Sequence, residues 1–347
     1  MRALSNRGVQ AALVAALLFG AGTPAAKLLL GDVSPWMLAG LLYCGSGVGL
    51  GLIRLVRRSP AVRLPRRDLP PLLGAITFGG LVGPVLLMFG LAGMPASGAS
   101  LLLNAEGVFT ALLAWLVFKE HFDRRIGLGM LAIVAGAVVL SVPSQANLGS
   151  PWPALAVLGA CCAWGLDNNL TRKVALHDAT WLACAKGLVA GPVNLLLAVA
   201  LHSQFPPAGT VGSAVVVGFV AYGVSLVLFI VAMRNLGTAR AGAYFTVAPF
   251  FGAVLAVALG DPVTWPMVAA GVLMAIGVWL HLSERHQHRH RHHPETHDHW
   301  HTDDEHHHHE HPDPVPAGTW HKHRHAHPSI EHSHEHFPDA HHRHGHD

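Results

Sequence analysis

The chain has 347 residues, of which 51% are apolar and only 12% are charged, and its mean hydropathy of +0.39 excludes an ordinary soluble domain. The charges are unevenly distributed: residues 1–282 carry 17 Lys and Arg against 8 Asp and Glu, whereas residues 283–347 carry 6 against 12. The basic balance therefore belongs to the apolar part of the chain, and it gives no case for nucleic-acid binding.

Ten apolar runs are long enough to cross a bilayer as helices. A helix needs about 20 apolar residues to cross the hydrocarbon layer, and in lipid only helices or closed barrels satisfy their backbone groups. We call these runs spans 1 to 10, and they cover residues 9–30, 34–56, 70–92, 95–118, 125–142, 152–171, 179–201, 210–233, 238–259 and 263–282. The first run is longer than the apolar core of a signal peptide, so we interpret it as a span.

The cationic residues support this count. The loops after spans 2, 4, 6 and 8 carry Lys and Arg, whereas the alternate loops have almost none, Lys27 being the exception. Cationic loops stay on the cytoplasmic side of a membrane. The pattern predicts a multi-pass protein of the inner (plasma) membrane with both termini in the cytoplasm.

The two halves of the chain are related by an internal repeat. Phe109 and Gly136 recur 141 residues later as Phe250 and Gly277, and the pair Phe19-Gly20 recurs 145 residues later as Trp164-Gly165. A repeat of five spans is odd in number, so the second copy must be inverted in the membrane. We predict an all-α polytopic protein whose ten transmembrane helices form two inverted five-helix repeats, over residues 1–145 and 146–282.

Several motifs carry a family resemblance, namely Ala16–Gly20, Cys162–Gly165, Val108–Trp115 with Lys119-Glu120, and Pro249-Phe250 with Gly260-Asp261. Over residues 9–282 they resemble the EamA branch of the drug/metabolite transporter superfamily. Two departures are Glu106-Gly107, where many members have a proline, and Asp261 in place of a glutamate. The resemblance implies a central cavity, alternating access, and export of amino acids, related metabolites or drugs.

Three ionisable residues lie inside apolar spans, where each costs a few kcal/mol unless it faces the protein interior. Glu106 lies about 15 Å from either end of span 4, near the bilayer midplane. We interpret it as a carboxylate that couples protons or binds a substrate amine, and the alternative is a structural hydrogen bond. Asp167 and Lys186 lie at similar depths and could form an ion pair, with either a structural role or a role in substrate binding.

Other residues in the spans are weaker candidates. The amides could line a polar cavity near the charged residues, and two aromatic residues could border it, although aromatic side chains on membrane helices more often serve packing. A proline in span 9 could act as a gate, because proline interrupts the helical hydrogen-bond ladder. These candidates are Asn104, Asn168, Asn194, Trp164, Tyr244 and, for the gate, Pro249.

The segment 283–347 holds 24 of the 28 histidines and few apolar residues. Such a composition predicts a disordered, cytoplasmic, low-complexity tail. Imidazole groups bind Ni, Co, Zn and Cu, so the tail could hold divalent metal ions without being specific for one of them. The candidate ligands are His306, His307, His308, His309, His321, His323 and His325.

Three functional hypotheses follow. The first is a secondary transporter that exports a small organic metabolite, with the lipid bilayer and a small solute as partners and no required cofactor. The second is a divalent-cation exporter for Ni, Co or Zn that is fed by the tail, and the third is a non-transporting metal sensor in the membrane. An enzyme is not expected, because the sequence has no nucleophile with a base, no phosphate loop and no metal triad. Homodimer formation is left open.

Overall fold

The computed structural model describes residues 7–62, 64–118, 124–141, 151–174, 177–236 and 238–282, together with the backbone of four short tail segments. The chain divides into two units, Met1–Glu284 and Arg285–Asp347, which are described separately. The first is the membrane unit and the second is the histidine-rich tail.

The described part of the membrane unit is entirely helical. Its helices are α1 (Arg7–Leu29), α2 (Pro35–Val56), α3 (Leu69–Ile76), α4 (Gly83–Gly93), α5 (Ala96–Leu102), α6 (Ala105–Phe118), α7 (Arg124–Ser141), α8 (Trp152–Val174), α9 (Ala179–Ala200), α10 (Ala208–Val217), α11 (Ser225–Leu236), α12 (Thr238–Phe245), α13 (Ala248–Ala258) and α14 (Trp265–Leu282). Six continuous helical segments are long and apolar enough to cross a membrane, and shorter apolar helices accompany them. The prediction of an all-α polytopic membrane protein is confirmed, and the helices fit the ten predicted spans.

Spans 3 and 8 each contain a π-helical turn, Thr77–Val82 between α3 and α4 and Gly218–Val224 between α10 and α11. In span 3 the N–H of Gly83 bonds to the carbonyl of Phe78, five residues back. The following residue, Pro84, has no N–H to donate. The carbonyl of Gly79 is thereby left without a backbone donor, a condition typical of π-bulges at functional sites.

Spans 4 and 9 are each broken into two helices. In span 4 the break falls between α5 and α6, where the side-chain amide of Asn104 donates to the carbonyl of Leu101 at 3.0 Å. In span 9 it falls between α12 and α13, where Pro249 removes the N–H that would bond to the carbonyl of Phe245. Interrupted helices place unpaired backbone groups and polar side chains at the centre of the bundle.

The packing of the two halves follows the same shift as the sequence repeat. Gly136 of α7 lies against Met274 of α14, and Gly277 of α14 lies against Ile133 of α7. Gly277 lies 141 positions after Gly136, and Met274 lies 141 positions after Ile133. The two contacts are therefore equivalent under the repeat. Equivalent spans of the two halves also pair with each other elsewhere, as α2 does with α9. Small residues at these crossings let the helix backbones approach closely.

The structure describes the backbone of four short strands in the tail. The strands β1 (Gln287–Arg291) and β4 (Glu331–Glu335) form one antiparallel pair, and β2 (Glu295–His301) and β3 (His321–His327) form another. The register places Asp298 opposite Arg324.

Candidate functional site

The polar residues of the membrane unit are concentrated in the second half of α8. Trp164 and Asn168 are four residues apart and share one helix face, as do Asp167 and Thr171 on a neighbouring face. Each face meets a different helix, so α8 connects two polar groups of side chains.

The first group joins α8 to the start of α6. The amide nitrogen of Asn168 donates to Glu106 Oε1 at 2.7 Å and approaches the hydroxyl of Thr110 at 3.3 Å. Glu106 lies in the first turn of α6, directly after the break in span 4, and is half-buried. Among the described residues, Asn168 is the hydrogen-bond donor to this carboxylate, and no cationic side chain lies within ion-pair distance of it.

The second group joins α8 to α9. Lys186 Nζ donates to Asp167 Oδ1 at 2.5 Å and to Thr171 Oγ1 at 3.1 Å, and the Thr171 hydroxyl donates to the same carboxylate at 2.7 Å. Lys186 and Asp167 are 5% and 8% exposed. The structure thus brings these two charged residues together as a buried, mutually satisfied ion pair.

The π-turn of span 3 receives hydrogen bonds from three other spans. The carbonyl of Gly79 accepts from Tyr43 Oη at 2.5 Å and from Trp164 Nε1 at 3.1 Å, and the carbonyl of Gly80 accepts from the amide of Asn194 at 3.0 Å. A side chain at position 79 would collide with the Asp167 carboxylate. The missing backbone donors of this turn are therefore replaced by side chains of α2, α8 and α9.

Aromatic rings near the first group contact one another. Phe19 of α1 meets Trp164 edge to face, with ring centroids 5.9 Å apart, and Phe245 at 5.4 Å. Phe245 is followed by Thr246, whose methyl group lies in contact range of Gly107, the neighbour of Glu106. The contacts run from α6 through α8, α1 and α12 back to α6.

We call this closed set of residues the central ring: Glu106, Gly107, Asn168, Trp164, Phe19, Phe245 and Thr246. Every member of the central ring is half-buried except Trp164, which is buried.

The remaining candidates lie outside the central ring. Asn104 is 3% exposed, and its amide nitrogen faces Leu101 and the sulfur of Met274 rather than Glu106. Tyr244 packs half-buried against the core. Pro249 is buried in the first turn of α13, directly after the break in span 9.

The candidate metal ligands of the tail fall into two groups. His306, His307, His308 and His309 lie outside the described residues. His321, His323 and His325 occupy alternate positions of β3, opposite His301, His299 and His297 of β2. In the described part of the chain, no group of three or more His, Cys, Asp or Glu residues is arranged to hold a metal ion.

The sequence interpretation missed Tyr43, Gly79, Thr110 and the role of Phe19. Thr110 could have been found from its position one helical turn after Glu106 on the same face. Phe19 was visible as the repeat counterpart of Trp164, and the two counterparts touch each other. The role of Gly79 depends on a π-turn, for which the only sequence signal is the nearby Pro84.

The charged loops at one end of the bundle are tied together by ion pairs. Arg54, at the end of α2, pairs with Asp178 at 2.6 Å, and His177 lies 2.8 Å from the carboxylate of Asp68. Asp178 also caps the start of α9 by accepting from the N–H of Trp181. These contacts link the loop after span 2 to the loop after span 6, both predicted to be cytoplasmic.

Comparisons with known proteins agree with this architecture. The family model described as the EamA-like transporter family matches residues 6–142 and again residues 151–283. An uncharacterized transporter of Methanothermobacter thermautotrophicus is 27% identical over 77% of this chain and 84% of its own length. A probable amino-acid metabolite efflux pump of Salmonella typhimurium is 26% identical over 78% of this chain and 93% of its own. A solved crystal structure with 19% identity superposes with a TM-score of 0.60 over 78% of this chain and 95% of that one, and so shares the fold.

Proposed function

The chain belongs to the EamA-like transporter family, and we propose that it is a secondary transporter that exports a small organic metabolite, an amino acid or drug-like compound, by alternating access. It would act in the inner membrane with both termini in the cytoplasm, as the cationic loops predict. The similarity to a probable amino-acid metabolite efflux pump supports export as the direction of transport and a small organic metabolite as the class of substrate.

The single observation that carries the proposal is the half-buried carboxylate of Glu106 in the central ring. An ionisable residue in a membrane span marks a substrate or ion pathway when it has no structural counter-charge. Asp167 has such a counter-charge in Lys186, whereas Glu106 has the neutral amide of Asn168. Glu106 is therefore the group that binds a substrate amine or a proton, and the Asp167–Lys186 pair holds α8 against α9.

The broken spans suggest how access alternates. Spans 4 and 9 meet in the central ring, and each has a break of two residues at which one half could tilt relative to the other. Pro249 lies at the break in span 9, and we propose it as the gate. Inverted repeats rock against each other around a site at the midplane in transporters of this type.

The histidine tail would bind divalent metal ions and serve as a store or sensor. In the register of β2 and β3, His297, His299 and His301 stand opposite His325, His323 and His321. Imidazole groups suit Ni, Co, Zn or Cu. Binding by the tail does not make these metals the cargo.

The test is flux into and out of proteoliposomes. The solutes would be a pooled panel of amino acids, amines and other metabolites, and separately Ni, Co and Zn. The proteins would be the full chain, a version ending at Ser283 and the variant Glu106→Gln, with Asp32→Asn as a matched control at an exposed loop carboxylate.

We expect flux of an organic solute that survives removal of the tail and is strongly reduced in Glu106→Gln but not in Asp32→Asn. Metal flux that requires the tail would replace the proposal by a metal exporter. Absence of any flux, with metal binding retained, would favour a membrane sensor.

A further inference from the structure

We propose that the central ring selects organic cations, specifically amines with an apolar or aromatic body, over zwitterionic amino acids and carboxylic acids. The inference rests on the proposed transport function and concerns the charge of the substrate. It follows from three features. The first is the acidic group of Glu106, and the second is the set of rings of Trp164, Phe19 and Phe245, which we call the aromatic wall. The third is that groups able to bind a substrate carboxylate already have hydrogen-bond or ion-pair partners.

The acidic side of the central ring offers a counter-charge to an ammonium group. Glu106 Oε1 accepts from the Asn168 amide at 2.7 Å, which leaves further lone pairs of the carboxylate for a ligand. A carboxylate between membrane helices is costly without a partner, and an ammonium group bound there would supply that partner. A cation therefore gains binding free energy from Glu106 that a neutral or anionic solute does not.

The cations nearest in the sequence to the polar stretch of α8 are already engaged. Lys186 donates to Asp167 and Thr171 within the buried pair, and removing it from Asp167 would leave a buried unpaired charge. Arg172 and Lys173, at the end of α8, also have interactions of their own. A substrate carboxylate that paired with Lys186, Arg172 or Lys173 would have to break one of these interactions.

The helix starts at the two breaks are engaged as well. Helix N-termini bind anions when their first N–H groups are unpaired. At α6 the N–H of Glu106 donates to Leu103 and that of Gly107 to Asn104. At α13, Pro249 has no N–H, and those of Phe250 and Phe251 both donate to the carbonyl of Val247. These starts resemble anion sites in position, but four of their N–H groups, those of Glu106, Gly107, Phe250 and Phe251, are occupied.

The aromatic wall of Trp164, Phe19 and Phe245 offers no free polar atom to a substrate. Trp164 Nε1 donates to the Gly79 carbonyl, and the other two rings of the wall, Phe19 and Phe245, have no polar atom. Aromatic faces attract cations and bury apolar groups. The wall thus favours a flat or apolar body carrying one positive charge.

The test uses three solutes that share a phenyl-alkyl body and differ in charge: 2-phenylethylamine, L-phenylalanine and 3-phenylpropanoate. Each would be measured in proteoliposomes containing the full chain, with Glu106→Gln and with the control Asp32→Asn, as the concentration giving half-maximal flux. We expect the amine to be favoured over 3-phenylpropanoate by about tenfold or more, as for other close charge pairs, and also over phenylalanine, which adds a carboxylate to the same ammonium group. We expect the preference over 3-phenylpropanoate to shrink in Glu106→Gln and to persist in Asp32→Asn.

Equal or better flux of phenylalanine would overturn the charge inference while leaving the transporter proposal intact. A preference for the amine over 3-phenylpropanoate that is undiminished in Glu106→Gln would show that Glu106 is not its origin and would also overturn the inference. If none of the three moves while another organic solute does, the inference fails and the transport function stands. If the broad panel shows no organic flux at all, both fail together.

Discussion

Helices α1 and α8 occupy equivalent places in the two repeats, but only α8 carries the polar site. At the shift of 145 residues, three polar residues of α8 correspond to small or weakly polar residues of α1, namely Asp167, Asn168 and Thr171 to Gly22, Thr23 and Ala26. In α1 these positions are buried in helix contacts. The repeats therefore share a packing frame, while the chemistry of the site comes largely from one of them.

The aromatic-glycine pair at the start of this stretch shows the shared frame most directly. Gly20 lies against the backbone of α13, and Gly165 lies against the equivalent part of α6. Phe19 and Trp164, the residues before them, touch each other. Substitutions at the positions where α8 differs from α1, or at the residues that contact them, should therefore change the site.

The largest effect is expected for Lys186→Met. It would leave Asp167 buried without its counter-charge, which costs about 3–5 kcal/mol. The measurement is thermal unfolding of the detergent-purified protein, and the double variant Asp167→Asn with Lys186→Met should recover most of the loss. A single variant that unfolds like the wild type would contradict a structural role for the pair.

Asn168→Thr would give α8 the residue that α1 has at the equivalent position, Thr23. The hydrogen bond to the Glu106 carboxylate would be lost, at a cost of about 1.5–3 kcal/mol for a bond to a charged group. We expect weaker apparent affinity for the transported solute together with a lower unfolding temperature. Unchanged affinity in the flux assay would show that Asn168 does not orient Glu106.

Gly79→Ala would add a methyl group where Asp167 lies. Overpacking of this kind costs about 1–3 kcal/mol, and it should be seen as a lower unfolding temperature. The second repeat has Val220 at the equivalent position of its own π-turn, so the requirement for glycine is specific to span 3. Gly212→Ala is the control, because nothing lies within 4 Å of that position, and equal effects of the two variants would refute the explanation.

The smallest effect is expected for Tyr43→Phe, which removes one of two donors to the Gly79 carbonyl. Hydrogen bonds between membrane helices average about 0.6 kcal/mol, and Trp164 would still satisfy the carbonyl. A small decrease in unfolding temperature is expected, and adding Trp164→Phe should lower it by more than the sum of the two single changes. Simple additivity would mean that the two donors do not share one acceptor.

Much of the site was accessible from the sequence. Glu106, Asp167 and Lys186 were identified because ionisable residues in apolar spans require a partner or a function. The sequence identifies Asn168 as an amide near the charged residues. It does not show that Asn168 bonds to Glu106 rather than to the adjacent Asp167–Lys186 pair. Successive residues on a helix point about 100° apart, so small rotations of α8 decide which helix each one meets.

The sequence by itself determined the membrane class, the ten spans and the relation between the halves, because hydropathy, loop charge and repeat spacing are properties of the linear chain. Only the tertiary structure decided that the Gly79 carbonyl lacks a backbone donor, that Tyr43 and Trp164 replace it, and that Phe19 contacts both Trp164 and Phe245. These contacts join residues far apart in the chain. They depend on how helices rotate and break when packed, and no local pattern of residues encodes this.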